Sequence, residues 1–130
     1  MGHIDINFTV KLPPISKKNS MQIVRPYGMN RPIIVPSKQY KEYEKSAMWF
    51  MPKLQHPIDY PVNIKCLFYM PTKRKCDLTN MLEAIDDVMV KARLIADDNF
   101  SIVVGHDGSR VPYDKENPRT EVIITEIKEV

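Results

Sequence analysis

Cysteine is scarce: Cys66 and Cys76 are the whole supply in 130 residues. They form no CxxC pair and, with three histidines, no zinc-ligand pattern, so they read as reduced thiols of a cytoplasmic protein. Long apolar runs are missing as well. No stretch approaches the ~20 residues needed to span a bilayer. The N-terminus lacks the charged segment and apolar run of a signal peptide, so no membrane partner is expected. Neither sign of charge dominates, since 19 Lys and Arg against 16 Asp and Glu leave +3, too little by itself to announce nucleic-acid binding. Repeats and low-complexity tracts are absent. The length is that of one domain, residues 1–130, able to bury a real core.

What the chain does have is pattern. Ile4, Ile6, Phe8, Val10 and Leu12 alternate with Asp5, Asn7, Thr9 and Lys11, the period of a half-buried strand, and Pro13-Pro14 ends it. Met21–Val24 and Ile33–Val35 flank a turn-rich segment and can form a hairpin. Pro36-Ser37 reads as the entry and N-cap of a helix running to about Met51, closed by Pro52. Val62–Met70 is the next strand. Ile102–Val104 and Glu121–Ile127 are strand candidates around a long loop, His106–Thr120. The expected class is α+β, a small mixed β-sheet packed with two main helices in a single domain. Tyr40, Tyr43, Trp49 and Phe50, at helical spacing, are assigned to the core or to a subunit interface. His106 has no partner that the sequence can name and is assigned to the surface.

The most informative stretch runs from Lys73 to Phe100. Leu78, Met81, Leu82, Ile85, Val88, Met89 and Ala92 fall on one face of a helix. The other face carries Asn80, Glu83, Asp86, Asp87 and Lys91. Glu83 and Asp87 are like charges one turn apart, which costs roughly 0.2–0.5 kcal/mol in an isolated helix. Stability alone would not choose that pair. Asp77 opens the helix and Asp97-Asp98 lies just past its exit. A helix of about 16 residues is roughly 24 Å long, so its two ends meet only if the chain folds back or a second subunit supplies one of them. Asp77 can equally be an N-cap, and Asp97-Asp98-Asn99 a turn. The run Lys73-Arg74-Lys75 could be a solvated loop, but its place directly ahead of the acidic residues suggests contact with phosphates.

The segment Arg74–Ser101 resembles the signature of the RusA-type Holliday junction resolvases: basic residues, Asp-Leu-Asp-Asn, a helix with an Asp, then Asp-Asp. Ile6–Pro14, Ser37–Tyr43, Pro61–Pro71 and Thr120–Glu126 are similar to other parts of that family, so the resemblance covers nearly the whole chain. It implies a small homodimeric endonuclease, dependent on Mg²⁺ or Mn²⁺, that nicks four-way DNA junctions symmetrically. Such a protein would be bacterial or phage-encoded and act in recombination and repair. The family's acidic cluster carries over onto Asp77, Asp97 and Asp98, with Asn80 and Asp87 as further matching positions. Lys17 and Lys18 resemble a family loop and, with Lys73, Arg74, Lys75 and Arg110, are the expected DNA contacts. Two departures stand out. Thr79 replaces the second Asp of the family's Asp-x-Asp, and Glu83 replaces a functional Lys. Positions four apart share a helix face, so Glu83 is expected to supply the missing ligand beside Asp77, Asp97 and Asp98. Lys73, Lys75 or Lys91 would replace the lost cation, and Lys75 is assigned to the catalytic set. Thr79, Asn80 and Asp87 would support the ligands.

Two other readings stay open. The departures are also those of a branched-DNA-binding protein with weakened catalysis. Glu126-Ile127-Lys128 is also the tripeptide of a PD-(D/E)xK-type nuclease, if an upstream Asp joins it.

Overall fold

A computed structural model describes residues 5–16, 21–28 and 30–128. Lys17 and Lys18 lie outside them. The strands form where apolar residues alternate. β1 (Asp5–Val10), β4 (Val62–Tyr69), β5 (Val103–Gly105) and β6 (Arg119–Glu126) make one mixed sheet in the order β1-β6-β4-β5. β6 pairs antiparallel with both neighbours, aligning Phe8 with Val122 and Ile64 with Ile124. Every second residue of β4, from Val62 to Phe68, is buried, as period-two alternation requires. β2 (Met21–Val24) and β3 (Ile33–Pro36) form the expected hairpin, a separate two-stranded sheet that leaves Ile23, Ile34 and Tyr27 exposed.

Two helices cover the polypeptide's core. α1 (Lys38–Ala47) is capped by Ser37, whose Oγ accepts from the Tyr40 amide at 3.1 Å, and it runs on into a 3₁₀ turn, Met48–Phe50. Tyr40 and Tyr43 are buried, whereas Trp49 is 81% exposed and takes no part in the core. α2 (Leu78–Lys91) lays Met81, Ile85, Val88 and Met89 into a cluster with Ile64, Cys66, Phe68, Val122 and Ile124. Among the described residues no helix is long and apolar enough to cross a membrane.

β4 and β5 are parallel, so a crossover must join them, and α2 is that crossover. At its exit Arg93 takes a left-handed conformation, φ 61°, and the Leu94 amide reaches back to the Met89 carbonyl at 2.9 Å. The chain then folds back. Ile95 runs beside Ile58, which bonds to Leu94 and Ala96 at 2.9 Å each.

The segment expected as one long loop is partly an edge strand. Beyond β5 the chain follows β4 again through Arg110, which exchanges bonds with Cys66 and Phe68, and Pro112 and Asp114, which bond to Met70. The β4–β5 pairing itself carries a register shift at Val62/Asn63, and the ladder lapses between Gly105 and Arg110. Side chains fill the gap. His106 Nδ1 donates to the Ile64 carbonyl at 2.7 Å, and Ser109 Oγ accepts from the Cys66 amide at 2.9 Å. Asn63 pins the Asp107 backbone in both directions, at 2.8 and 3.2 Å. Gly108, at φ +89°, makes the turn with Lys65 packed against it. β-Bulges of this kind re-aim a side chain, and here the redirected side chain is His106.

Candidate active site

The N-terminal end of α2 gathers one carboxylate and several cations. Asp77 occupies the N-cap position, and its carbonyl accepts from Met81 at 3.2 Å, but its carboxylate makes no capping bond. Instead Asp77 Oδ2 accepts from Asn80 Nδ2 at 3.3 Å. The carboxylate is therefore exposed at the positive end of the helix, oriented by Asn80 and not consumed by a cap. Lys73, Arg74 and Lys75 precede it, all exposed, with Lys73 Nζ 5.1 Å from the Tyr113 ring centroid. A cleft of about 450 Å³ opens here between Pro14–Ser16 and Arg74–Cys76. Thr79 faces solvent.

Not every cation nearby is available. Arg119 is bound to Asp114 at 2.9 Å and to Glu121 at 2.8 Å, and lies over the Tyr69 ring at 3.8 Å. Arg110 has an exposed side chain, its backbone held by β4.

The far end of the crossover is built differently. Asp97 turns the chain: its Oδ1 accepts from the Asp98 amide and its Oδ2 from Asn99 Nδ2, both at 2.8 Å. Those bonds, the Asn99 one first, hold its carboxyl below the usual carboxylate range. Asn99 in turn accepts from Ser101, and its carbonyl takes Ile102 and Val103 into β5. Asp98 is exposed beside this turn.

Between the ends lies a pair that corrects two expectations. Asp86 does not share the solvated face; it is buried, with 7% exposure. His106 is not a surface residue, since its Nε2 sits 2.8 Å from Asp86 Oδ2 while Nδ1 is bound to Ile64. A carbonyl only accepts, so Nδ1 carries a proton. The 2.8 Å contact needs a second proton between Nε2 and Oδ2. With that proton on either atom, the pair is neutral overall. Burial pushes the Asp86 carboxyl up, against the lowering effect of the His106 hydrogen bond and charge, and the charges of Asp98 and Asp87 raise it further. Burial pulls the His106 imidazole down, but the Asp86 hydrogen bond and charge more than offset it, so the net shift is upward. Among the described residues Asp86 Oδ1 has no hydrogen-bond partner, and it is buried. An orphaned buried acceptor costs about 1–3 kcal/mol, more when charged.

Toward α1, the charges of Glu44, Asp87 and Glu83 add to burial in raising the Tyr40 hydroxyl. Lys91 on the same side is paired with Glu44 at 2.8 Å. Glu83 itself is exposed. Asp77 and Asp86 stand nine positions apart, about 14 Å along the helix, and it is at Asp86 that the charge of Asp98 is felt. Among the described residues, no group of three or more His, Cys, Asp or Glu is arranged to hold a metal. The sequence carried a signal for Asp86, which lies seven residues and two turns after Thr79 on the same stripe. It carried none for His106, which comes from beyond the crossover.

Comparison with known proteins agrees with this arrangement. The family described as Endodeoxyribonuclease RusA matches residues 12–125. A "Crossover junction endodeoxyribonuclease RusA" of Aquifex aeolicus (strain VF5) is 30% identical over 105 residues, 79% of this chain and 79% of that protein. A match over that share of the chain, with the α+β sheet, the crossover helix and the acidic residues at both of its ends, shows that the chain belongs to the RusA endodeoxyribonuclease family.

Proposed function

We propose that this protein is a homodimeric, divalent-metal-dependent endonuclease that resolves four-way DNA junctions by paired nicks, in recombination and repair in the cytoplasm of a bacterium or of a phage-infected cell. The observation that carries the reading is the family match over residues 12–125, on a chain whose basic loop immediately precedes an exposed, uncapped carboxylate. Mg²⁺ or Mn²⁺ suits the donor set, because such ions take one or two carboxylates and complete their shell with water and phosphate oxygens. Asp77, Asp97 and Asp98 would hold the ion, Glu83 would add a carboxylate from the adjacent turn, and Asn80 and Asp87 would support them next to Thr79. When bound, the ion supplies positive charge to the phosphate and activates a water for attack. Lys73, Arg74, Lys75 and Arg110, with Lys17 and Lys18, would hold the backbone, and Lys75 would lie nearest the scissile phosphate.

The dimer reading has its own support. Asp77 and Asp98 flank opposite ends of α2, so a second copy can supply one end to the other, and a two-fold arrangement yields two equal sites for two nicks. The test is cleavage of a synthetic four-way junction with and without Mg²⁺ or Mn²⁺, beside sedimentation of the protein. Paired, metal-dependent nicks from a dimer are the expected result. Binding without cleavage under any metal would favour the weakened DNA-binding reading that Thr79 invites. Loss of cleavage in Lys128→Ala alone would favour a site at Glu126-Ile127-Lys128.

A further inference from the structure

We propose that the β2–β3 hairpin is a DNA-gripping arm, with Arg25 and Arg31 on backbone phosphates and Tyr27 stacked on a base exposed at the branch point. The inference rests on the reading above, that the substrate is a four-way junction. It assigns a contact surface outside both the basic loop and the acidic residues around α2.

Charge is segregated along the chain. From Ile6 to Lys41 there are seven Lys and Arg and no Asp or Glu, so all 16 carboxylates lie outside that stretch. The small total of +3 therefore hides a strongly cationic N-terminal part, the electrostatic footprint of a surface for nucleic acid. Among its described members, Lys11, Arg25, Arg31, Lys38 and Lys41 are exposed. No ion pair joins any of them to a described carboxylate, whereas Lys91 and Arg119 are held in such pairs. Reach agrees with a role on DNA. Ser16 lines the cleft beside Arg74 and Lys75. Met21 follows five residues later, at most ~18 Å away, and the strand carries the chain a further ~20 Å to Tyr27. The tip thus lies within ~40 Å of the cleft, about one turn of duplex.

The hairpin carries this charge to a tip. The chain turns at Gly28, φ +85°, and Arg25 braces the turn by donating to the Asn30 carbonyl at 3.3 Å. Tyr27 stands between Arg25 and Arg31 in sequence and is fully exposed. Aromatic rings set among cations are the platforms on which bases stack, whatever their sequence. A continuous duplex hides its base faces, whereas a branch point interrupts the stack and leaves some of them open. Ile23 and Ile34, directly opposed across the hairpin, are also exposed and on their own would suit a second copy of the chain. A two-fold contact through the hairpin would, however, bring Arg25 and Arg31 toward their own counterparts with no hairpin carboxylate between them. Charge favours the polyanion.

Fluorescence anisotropy of the full-length protein tests the proposal, on a synthetic four-way junction and on a linear duplex of the same arm sequence, in EDTA and across a salt series. Tyr27→Ala should weaken junction binding by about 10-fold and spare the duplex, and Tyr27→Phe, which keeps the ring, should recover the loss. Arg31→Ala should weaken binding to both DNAs and flatten the salt slope by ~0.9, and removing Arg25 as well should flatten it by ~1.8. Arg25 also braces the turn, so Arg31→Ala alone keeps the test valid if the double variant loses the hairpin. Parental junction affinity and slope in Tyr27→Ala and Arg31→Ala would overturn the arm and leave the nuclease reading intact. Equal losses on junction and duplex in Tyr27→Ala would overturn stacking at the branch point. A parent that binds the junction no better than the duplex would overturn the reading on which this inference rests. Sedimentation of the same variants decides the other occupant: a dimer that falls apart in Tyr27→Ala or Arg31→Ala would make the hairpin a subunit contact and overturn the proposal.

Discussion

The two ends of α2 hold carboxylates by opposite means. At the start, Asp77 is exposed, has one hydrogen bond from Asn80, and follows the exposed run Lys73-Arg74-Lys75. Toward the exit, Asp86 is buried, shares a proton with His106, and is tied through that ring to the central strand. The first arrangement leaves room for a large polyanion to approach. The second holds a carboxylate away from solvent and against the sheet, so α2 separates an open, basic end from a closed, anchored one.

The sharpest way to break that comparison is to remove one carboxylate from each end. Asp77→Asn and Asp98→Asn should each lower junction cleavage by about 10³-fold, the effect of several kcal/mol of lost charge stabilisation. Junction binding should persist, since no basic contact is removed. Neither change should disturb folding: the Asp77 carboxylate makes no cap, and Asn caps about as well as Asp in any case. The two dead proteins should then be mixed and allowed to exchange subunits. If each site takes Asp77 from one copy and Asp98 from the other, the mixed dimer regains one intact site, and single nicks reappear. If each chain builds its own site, the mixture stays as inactive as its components, and the composite site is wrong.

The basic end is tested by salt. Each phosphate neutralised by Lys or Arg adds about 0.9 to the steepness with which log affinity falls against log salt on duplex arms. Replacing Lys73, Arg74 and Lys75 with Ala should therefore weaken junction binding at low salt and flatten the slope by up to ~3. An unchanged slope would mean that the exposed triplet faces away from DNA. Lys73 is the member with most to lose elsewhere, as its ammonium sits over Tyr113.

Most of the fold was legible because it rests on local periodicity. The alternation in β1 and β4, the Ser37 cap and the apolar stripe of α2 each reappear where the pattern put them. The uncapped Asp77 was only half legible: residue type and position indicated a cap, and the side chain is turned to Asn80 instead. Asp86 was misread because its position on the helix borders both faces, and the group that buries it arrives from twenty residues away. His106 was out of reach for a related reason. Its place depends on a break in the β4–β5 ladder that leaves the Ile64 carbonyl to be satisfied by a ring, and no spacing in the sequence announces such a break.

Glu83 sharpens the comparison from the middle of the helix. It stands between the two ends, exposed. Glu83→Gln should lower metal-dependent cleavage by about 10-fold, well short of the Asp98→Asn loss, since Asp98 stands at a position of the family's acidic cluster and Glu83 only replaces one. Adding Thr79→Asp should recover activity, because it restores the second Asp of the family's Asp-x-Asp. A Glu83→Gln variant as inactive as Asp98→Asn would make Glu83 the principal fourth ligand. Parental rates in both variants would leave it a solvated residue, with a helix slightly stabilised by relief of its repulsion with Asp87.

The smallest effect should come from the ion pairs around Arg119, beside the basic end of the sheet. Hydrogen bonding from Arg119 holds the Asp114 carboxyl below its ordinary value of 3.8. A carboxyl depressed in the folded state contributes stability that is complete above its unfolded value and lost as pH falls through the folded one. The parent should therefore show a shallow drop in melting temperature below about pH 4 that Asp114→Asn lacks. At pH 6 the variant should melt slightly lower, and near pH 2 the two curves should converge. The difference should stay small because the pair is solvent-screened, in contrast to the buried Asp86. A large, pH-independent loss in Asp114→Asn would show that this corner, with Arg119 packed on Tyr69 at 3.8 Å, is a structural anchor and not a set of surface charges.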